Sequence, residues 1–175
     1  MKSAADGRSG PATPNGGGFG GKSDPFSHEI VAARLAMTTG RPVKITLTRE
    51  EVFYCHRGRH PVLMRIKTGV TRDGAITAME FDSWLDGGAY GSYGVVTTYY
   101  NGVLLQGPYP VPNFAFRCRR LYTNKPMCGA MRGHGGVNPR FAAEVLMDMA
   151  LTEAGLDPCQ ARIDLLHREN TLTVN

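Results

Sequence analysis

The stretch Val62–Leu85 (VLMRIKTGVTRDGAITAMEFDSWL) predicts a β-hairpin at the centre of the fold. Within Val62–Val70, mostly apolar residues at even positions alternate with less apolar residues at odd positions. A period of two is typical of a strand whose two faces lie in different environments. Asp73-Gly74 is a strong signal for a tight turn, and Ala75–Leu85 returns as the partner strand. The hairpin therefore supplies two adjacent antiparallel strands around which the rest of the chain can be placed.

Segments with helical or strand character flank this hairpin, so the sequence predicts an α+β domain. A helix is expected from the Asp24-Pro25 cap to Gly40. Val95–Leu105 is compatible with a helix or a buried strand, and we favour the helix. Two later helices are expected after Asn138-Pro139, with Gly155 closing the first of them, and from Asp157-Pro158 to near Arg168. The apolar stripe of the helix after Asn138 is predicted at Phe141, Val145, Leu146 and Met149. Further strands are predicted at Val43–Thr48 and Phe114–Thr123.

Glycine is the unusual feature of the composition. The chain has 175 residues and 22 glycines, with 42% hydrophobic and 20% charged residues, which is a globular composition. Three loops hold 13 of the glycines: five in Gly16–Gly21, four in Gly87–Gly94 and four in Gly129–Gly136. Residues 1–15 are predicted to be a flexible leader, and 16–175 a partial domain. No apolar run approaches the length of a membrane span, and no secretory signal is recognised, so we expect no membrane and a cytoplasmic location.

The net charge of +5 is compatible with nucleic acid, but an anionic cofactor or substrate explains it as well. The basic residues are scattered, and we expect no nucleic-acid partner. The nearest approach to a basic patch comprises Arg57, Arg59, Arg117, Arg119 and Arg120.

The cysteines are not spaced as a zinc knuckle or an iron–sulfur motif, so we expect reduced thiols and no metal ligated by side chains. They are Cys55, Cys118, Cys128 and Cys159.

The first glycine loop, Gly16–Ser23 (GGGFGGKS), matches both the phosphate loop of nucleotide hydrolases and the dinucleotide fingerprint. Both motifs need an apolar strand directly before the loop, and Ala12–Asn15 (ATPN) is not one. The best magnesium-binding strand for a phosphate loop is Met79–Asp82 (MEFD), which Glu80 interrupts. A glycine turn needed only for packing is another interpretation. Exposed backbone N–H groups near a helix N-terminus would favour an anionic or oxo ligand.

Six motifs in a fixed order are more specific than any one of them. They are Gly16–Lys22 (GGGFGGK), Gly58–Pro61 (GRHP), Asp86–Tyr90 (DGGAY), Tyr109–Asn113 (YPVPN), Thr123–Pro126 (TNKP) and Met131–Gly136 (MRGHGG). From Gly16 to about Asn170, this series resembles the molybdenum-cofactor-binding large subunit of the xanthine dehydrogenase/aldehyde oxidase family. The resemblance implies part of the molybdopterin-binding domain, with a mixed sheet and flanking helices.

The resemblance also implies a cofactor and its contacts. The cofactor is molybdenum–molybdopterin, expected as the cytosine dinucleotide, with iron–sulfur clusters and FAD on partner subunits. The amide of Phe19 would face the apical oxo group of the metal, and Arg132 would lie beside the metal and pterin. The cofactor-binding residues implied are Gly17, Gly18, Phe19, Gly20, Arg132, Gly133 and His134. His134 could equally be a packed residue behind the site.

Two positions bear on the substrate. Purine-oxidising members place a Glu where this chain has Ser23 and an Arg at the position of Tyr100, so both charged contacts are missing. Within the family, this pattern is most similar to 4-hydroxybenzoyl-CoA reductases. It implies reductive removal of the ring hydroxyl from an aromatic CoA thioester, with ferredoxin as electron donor and Tyr100 as a catalytic proton or hydrogen-bond donor.

Several alternatives stay open on the sequence. They are hydroxylation of an aromatic or aldehyde substrate, a cofactor-binding or assembly module without chemistry, and a phosphate-loop protein. Tyr100 could be a half-buried core residue, and Ser23 could simply cap a helix. The family's large subunit is several times longer, and its glutamate base has no counterpart here. We therefore expect the remainder of the large subunit to be a partner, and no turnover by this chain alone.

Overall fold

A computed structural model describes residues 14–166, which form five helices and three strands. These residues divide into two compact units, one ending at His56 and the other beginning at Arg57. Residues 1–13, most of the predicted leader, lie outside the described range. No helix within 14–166 combines the length and the apolar character that a membrane crossing needs.

The first unit begins with the glycine loop and then forms helix α1 (Ser27–Thr39). The predicted start at Asp24-Pro25 is wrong, because the carboxylate of Glu29 accepts the amide of Phe26 at 2.7 Å and fixes the first turn there. The predicted end is confirmed, since Gly40 takes the left-handed conformation at φ 63°. The Phe26 ring is buried and stacks on the His56 ring, with centroids 4.8 Å apart.

The predicted strand at Val43–Thr48 is wrong, and a short helix that was not predicted follows it. The segment has no regular secondary structure and pairs with no strand among the described residues. Helix α2 (Arg49–Cys55) begins at a reciprocal cap, in which the Thr48 hydroxyl accepts the Glu51 amide at 3.2 Å. In return the Glu51 carboxylate accepts the Thr48 amide at 2.6 Å. Thr-x-x-Glu is the sequence signature of such a cap, so this helix start could have been found.

The second unit contains the predicted hairpin and a mixed sheet. Strands β1 (Val62–Val70) and β2 (Ile76–Asp86) are antiparallel, and β3 (Phe114–Leu121) lies parallel to β2 on its other side. The amide of Thr71 donates to the carbonyl of Ala75 at 2.9 Å and closes the turn. Because β2 is central, the mixed sheet and flanking helices expected from the family resemblance are confirmed.

One face of the sheet carries the core of this unit. Phe81 and Leu85 are fully buried on β2, and each such side chain contributes about 2–3 kcal/mol by leaving water. Two clusters of buried side chains lie beneath the sheet. The first comprises Met79, Phe81, Leu105 and Ala143, and the second Ile76, Tyr109, Met147, Leu151 and Ala161. On the opposite face, Trp84 lies between the guanidinium groups of Arg65 and Arg119, at 5.3 and 5.4 Å from its ring centroid.

The three helices of this unit lie where the sequence predicts helices, although one cap is wrong. They are α3 (Gly94–Val103), α4 (Val137–Glu153) and α5 (Pro158–Leu165). Asp157 caps α5 as predicted, because its carboxylate accepts the Gln160 amide at 2.7 Å. Asn138 does not cap α4; its side-chain amide donates to the carbonyl of His60 at 3.1 Å. Gly136 occupies the cap position instead. The part of the predicted α5 beyond Leu166 lies outside the described residues.

The predicted apolar stripe of α4 is wrong as a core-facing stripe at three of its four residues. Phe141, Val145 and Met149 are 67, 43 and 63% exposed, and Leu146 is half-buried. Met147 and Leu151 are buried against the sheet instead. The helix carries apolar residues on opposite sides, so periodicity alone cannot decide which side faces the core. We call Phe141, Val145 and Met149 the outward stripe of α4, because all three side chains are exposed.

The basic residues grouped in the sequence are separated by the pleat of β3. Arg117 and Arg119 lie on the open face of the sheet, where both approach the Asp82 carboxylate, at 3.4 and 3.5 Å. Arg120 points to the other face, and Arg57 is buried. No continuous basic patch results from these residues.

Two of the six motifs bind each other at one end of the sheet. The amide of Thr123 donates to the carbonyl of Gly88 at 3.1 Å, and the amide of Ala89 to that of Lys125 at 3.0 Å. The Asp86 carboxylate accepts the Thr123 hydroxyl at 2.6 Å and pairs with the ammonium group of Lys125. These hydrogen bonds, first that from Lys125, lower the pKa of Asp86 to about 2.

We predict that Gly88→Ala destabilises the second unit by about 2–4 kcal/mol. Gly88 has φ 65°, and a Cβ there would overlap the backbone carbonyl of Pro126, which cannot move freely. The matched control is Gly91→Ala in the same loop, where no atom lies within 4 Å of the added carbon. Urea denaturation followed by the fluorescence of Trp84, the single tryptophan, measures both. Equal midpoints for the two variants would contradict the steric argument.

Candidate cofactor-binding site

The first glycine loop is a tight turn with several residues in the left-handed region. Gly17, Phe19 and Gly20 have φ of 90, 50 and 90°, and the amide of Gly21 donates to the carbonyl of Gly18 at 2.8 Å. Phe19 is the exception, because a side chain disfavours this conformation and its ring is 60% exposed. Strain of this kind concentrates at functional sites. Successive amides in such a turn form a concavity that suits an anion or an oxo group.

The packing of the first unit leaves room at Gly18. A Cβ there would meet nothing closer than the Cβ of Lys22, at 3.9 Å, and the residue is outside the left-handed region. The glycine at this position is therefore not required by the described chain, whereas Gly21 is, because a Cβ there would overlap the His56 ring. This difference fits a loop in which a ligand approaches the backbone at Gly18.

Ser23 closes the loop and does not cap a helix. Its hydroxyl donates to the carbonyl of Gly20 at 3.1 Å, and α1 begins four residues later at Ser27. A phosphate loop requires the helix to start at the Lys-Ser pair, directly after a strand. Neither feature is present, since residues 14 and 15 are coil. The phosphate-loop and dinucleotide interpretations are therefore wrong for this loop.

The second glycine loop is organised around the guanidinium group of Arg120. This group donates to the carbonyls of Gly87 at 2.8 Å and of Tyr90 at 3.2 Å. It occupies the space that a Cβ of Gly87 or of Gly94 would need. The glycines at both positions are thus explained by internal packing, and this loop needs no ligand to account for its composition.

Arg120 also donates to Nε2 of His60, at 3.1 Å. His60 is only 3% exposed, and burial, helped by the positive charge of Arg120, lowers its pKa to about 4. The imidazole is therefore neutral at pH 7 and accepts the hydrogen bond with its bare Nε2. This pair links the Gly58–Pro61 motif to the second glycine loop.

The third glycine loop is held by the Gly58–Pro61 motif on one side. The Arg59 guanidinium donates to the carbonyl of Arg132 at 2.6 Å. The amide of Gly129 donates to the carbonyl of Gly58 at 3.0 Å, and that of Cys128 to Gly87 at 3.0 Å. Three of the motifs therefore share one backbone network.

Helix α3 holds the other side of the same loop. Gly135, at φ 74°, lies so close to the helix that a Cβ would be 2.6 Å from the carbonyl oxygen of Thr97. The buried side chain of Asn101 donates to the Gly135 carbonyl at 3.2 Å and accepts the Ser83 hydroxyl at 2.8 Å. Through these two hydrogen bonds Asn101 connects the third loop to α3 and β2.

An open cleft of about 420 Å³ lies where α3 meets the third loop and the start of α4. Its lining comprises Tyr100, Leu104, Gly133, His134, Gly136, Val137 and Arg140. The Tyr100 and His134 rings meet edge to face, with centroids 5.5 Å apart. The structure thus brings together Tyr100, Gly133 and His134 of the predicted site residues, while Arg132 is exposed and does not line this cleft.

The charged and polar groups of the cleft are few. Arg140 is held by Glu144 at 3.3 Å and by the carbonyl of Leu104, so its charge is paired. His134 contacts the buried hydroxyl of Thr97 at 2.6 Å. Burial lowers the pKa of His134, and the carbonyl of Tyr93 opposes this in part. The cleft therefore presents an apolar wall with a neutral imidazole and a phenol.

The described residues contain no cluster of three His, Cys, Asp or Glu side chains placed to ligate a metal. All four cysteines lie within residues 14–166, and none forms a disulfide.

Comparison with known proteins gives the family. The molybdopterin cofactor-binding domain matches residues 12–165, nearly the whole chain. The chain belongs to this family. It corresponds to part of the molybdopterin-binding large subunits of the xanthine dehydrogenase/aldehyde oxidase family.

Relatives of this molybdopterin-binding domain are much longer proteins. The large molybdopterin subunit of nicotinate dehydrogenase from Eubacterium barkeri is 40% identical over 87% of this chain and 36% of its own length. A putative xanthine dehydrogenase molybdenum-binding subunit of Escherichia coli K12 is 37% identical over 88% of the chain and 20% of its own. The chain thus spans about a third or less of these relatives.

Solved structures agree in fold. Aldehyde oxidoreductase from Desulfovibrio gigas matches 90% of the molybdopterin-binding chain and 17% of its own, with a TM-score of 0.81 and 34% identity. Quinoline 2-oxidoreductase from Pseudomonas putida 86 matches 88% and 20%, with a TM-score of 0.81 and 30% identity. The α+β fold expected from the sequence is therefore confirmed.

Sequence reasoning missed the residues that hold the loops, namely Arg59, His60, Thr97 and Arg120. Arg59 and His60 stand inside the quoted Gly58–Pro61 motif, so the motif itself was the signal. Arg120 was noticed only as a basic residue, and nothing in the sequence marks Thr97. The positions were hidden because their partners are backbone carbonyls and rings that only the fold brings near.

We predict that the free energy of unfolding falls by about 1–2 kcal/mol between pH 6.5 and 5 because of His60. The lowered pKa means that the unfolded state binds more protons in this range, so the stabilisation is complete above pH 6.5 and is lost as the pH falls towards 4. The loss for Asp86 comes lower, between its ordinary pKa and about 2.

The variant His60→Gln keeps an acceptor for Arg120 but does not titrate, so most of this slope should disappear. His28→Gln in the other unit is the control and should keep the wild-type slope. Urea midpoints at pH 7, 6 and 5 measure the effect. An unchanged slope in His60→Gln would show that another group is responsible.

Proposed function

We propose that this chain supplies part of the molybdopterin site of a multi-subunit molybdenum oxidoreductase. The observation that carries the proposal is the first glycine loop, in which Phe19 is held at φ 50° between glycines and Gly18 has space that the chain does not use. Such a backbone concavity fits the oxo or phosphate oxygens of a pterin cofactor. The family assignment supplies the identity of that cofactor.

The residues of the chain have separate tasks in this proposal. The amides of Phe19 and Gly20 bind an oxygen atom of the cofactor, and a side chain at Gly18 would prevent the approach. Arg132 supplies positive charge, and Gly133 gives the third loop its turn at φ 84°. When bound, a molybdenum–pterin group supplies two-electron redox chemistry; we propose its cytosine dinucleotide form.

The partners follow from the same proposal. The rest of a molybdopterin-binding large subunit completes the site, and iron–sulfur and FAD subunits carry electrons, as the family resemblance implies. A protein base at the metal has to come from the remainder of the large subunit. The chain alone is therefore expected to bind cofactor weakly and to catalyse nothing.

The cleft points to an aromatic or otherwise apolar substrate. Leu104, Val137 and the edge of Tyr100 form its wall, and its arginine is already paired with Glu144. Hydroxylation of an aromatic ring or an aldehyde suits this wall, and related proteins are named nicotinate dehydrogenase, quinoline 2-oxidoreductase and aldehyde oxidoreductase.

Reductive dehydroxylation of 4-hydroxybenzoyl-CoA is the second candidate. The observation that favours it is the Tyr100 ring, whose centroid lies 5.5 Å from that of His134, because a phenol and an imidazole can both donate or accept a proton. Two electrons from ferredoxin and two protons would convert the ring C–OH to C–H and release water. In this second candidate reaction Ser23, which is exposed in the first glycine loop, would be a further substrate contact.

We predict that Gly18→Ala removes molybdenum from the complex without unfolding the chain. The added carbon meets no atom of the chain closer than 3.9 Å, so only a bound group would clash with it. Molybdenum per polypeptide and the fluorescence of the oxidised pterin should fall at least tenfold in the complex purified with its neighbouring subunits.

Gly91→Ala is the matched control and should retain the wild-type molybdenum content. Full molybdenum in Gly18→Ala, or none in the wild-type complex, would contradict the proposed cofactor site. A chain that binds its neighbours tightly but carries no pterin would instead be an assembly module.

We predict that the complex discriminates between the two reactions in a substrate panel. Under oxidising conditions, nicotinate, quinoline and benzaldehyde test hydroxylation; with reduced ferredoxin, 4-hydroxybenzoyl-CoA tests dehydroxylation. Tyr100→Phe should lower the dehydroxylation rate by about 10²-fold if Tyr100 is the proton donor, and should affect hydroxylation much less. Turnover of purines alone would contradict both candidates.

A further inference from the structure

Thr97 on α3 makes two contacts with a single hydroxyl group. The residue is 4% exposed. Its Oγ1 lies 2.9 Å from the carbonyl oxygen of Tyr93, one turn earlier on the helix, and 2.6 Å from Nε2 of His134. Both distances are within hydrogen-bond range, so the position of the one hydroxyl proton decides whether Thr97 donates to or accepts from His134.

The short distance to Tyr93 favours one arrangement of the protons. The carbonyl oxygen can only accept, and at 2.9 Å it is stabilised when the Thr97 hydroxyl donates to it, beside the Thr97 amide that donates to the same oxygen at 3.0 Å. The hydroxyl oxygen then has only lone pairs to offer to His134, and Nε2 of the imidazole has to carry a hydrogen. The reverse arrangement would place the two oxygen atoms of Thr97 and Tyr93 together at 2.9 Å with no proton between them.

The other ring nitrogen is left with a free lone pair. Burial lowers the pKa of His134, so the ring is neutral at pH 7, and a neutral imidazole protonated at Nε2 is bare at Nδ1. The two nitrogens point in nearly opposite directions in the ring plane. Nε2 contacts the buried hydroxyl of Thr97, on the side where the Tyr93 carbonyl also lies, and the ring is among the residues that line the cleft.

The aromatic neighbours restrict the ring further. The rings of Tyr93 and Tyr100 are nearly perpendicular to the His134 ring, at interplanar angles of 83 and 84°. Their centroids lie 5.8 and 5.5 Å from that of His134. A ring packed in this way between two others cannot turn over freely to exchange its nitrogens. Ring packing and the contact with the Thr97 hydroxyl therefore both favour one orientation of the His134 ring.

We infer that Thr97 is a positioning residue that fixes His134 as the Nε2–H tautomer, so that Nδ1 accepts a hydrogen bond from a ligand N–H or O–H group in the cleft. The tautomer depends only on this chain, whereas the nature of the ligand rests on the proposed function. The inference adds a specificity rule: a ligand without a donor at this position leaves the imidazole lone pair unsatisfied, which costs binding.

Long-range ¹H–¹⁵N correlation spectra of the full chain, labelled at its five histidines, test the tautomer at pH 7.5. His134→Gln assigns the resonance. We expect a protonated Nε2 and a bare Nδ1 in the wild type and in Thr97→Ser, which keeps the hydroxyl. In Thr97→Val, which keeps the shape but not the acceptor, the population should move from one tautomer to a mixture of the two.

Two results would overturn the role of Thr97. One is a wild-type His134 protonated at Nδ1, and the other is an unchanged tautomer in Thr97→Val. Trp84 fluorescence checks that each variant is folded, and Thr97→Ala replaces the valine variant if the latter does not fold. A merely structural role would alter stability without moving the tautomer.

Phenol and anisole form a matched pair of probes for the ligand class, because they share a ring but only phenol donates O–H. Phenol should move the ¹⁵N resonance of Nδ1 towards the protonated position, and anisole should not. Equal responses, or no response to phenol, would overturn the assignment of Nδ1 as an acceptor for the ligand. Neither outcome affects the molybdenum content of the complex, so failure here is distinct from failure of the proposed function.

Discussion

The guanidinium group of Arg120 is the interaction on which the loops of the second unit depend. It replaces side chains at Gly87 and Gly94, satisfies two backbone carbonyls and donates to the neutral ring of His60. Ordering a loop this rich in glycine costs a large amount of conformational entropy. The charge-assisted hydrogen bonds offset that cost, and they require a neutral imidazole, because a protonated one would have no lone pair to accept with.

The glycines of the chain serve two different purposes. In the second loop they make room for an arginine of the same chain, and at Gly135 they let a loop approach a helix. At Gly18 the chain itself has space for a side chain, so the packing of the described residues does not explain this glycine. Counting glycines could not separate these cases, because the difference lies in what a Cβ would meet.

Much of the fold was predictable, since it follows from short-range signals. The hairpin at Asp73-Gly74 and the caps at Asp157 and Gly40 are local, and the structure has them where the sequence predicts them. The strand predicted at Val43–Thr48 is absent, because a strand needs a pairing partner that the sequence does not reveal. The face of α4 failed because Phe141, Val145 and Met149 are as apolar as the residues that are buried.

The predicted site was only partly accessible from the sequence. Tyr100 and His134 were named from the resemblance to a family, and the structure places them together. Thr97 escaped because its importance lies in the direction of one proton, and His60 because its neutral state comes from burial beside Arg120. Such properties appear only when the fold has brought the groups into contact, so motif order identified the family but could not describe the site.

The outward stripe of α4 has a consequence for the solution behaviour of the chain. Phe141 and Met149 expose about two thirds of their surface in a protein whose net charge is +5. Copies of the chain repel one another at long range through this charge and attract at short range through the stripe. Salt screens the repulsion and leaves the apolar attraction intact. Raising the ionic strength is therefore expected to lower the second virial coefficient of the isolated chain and to favour its self-association.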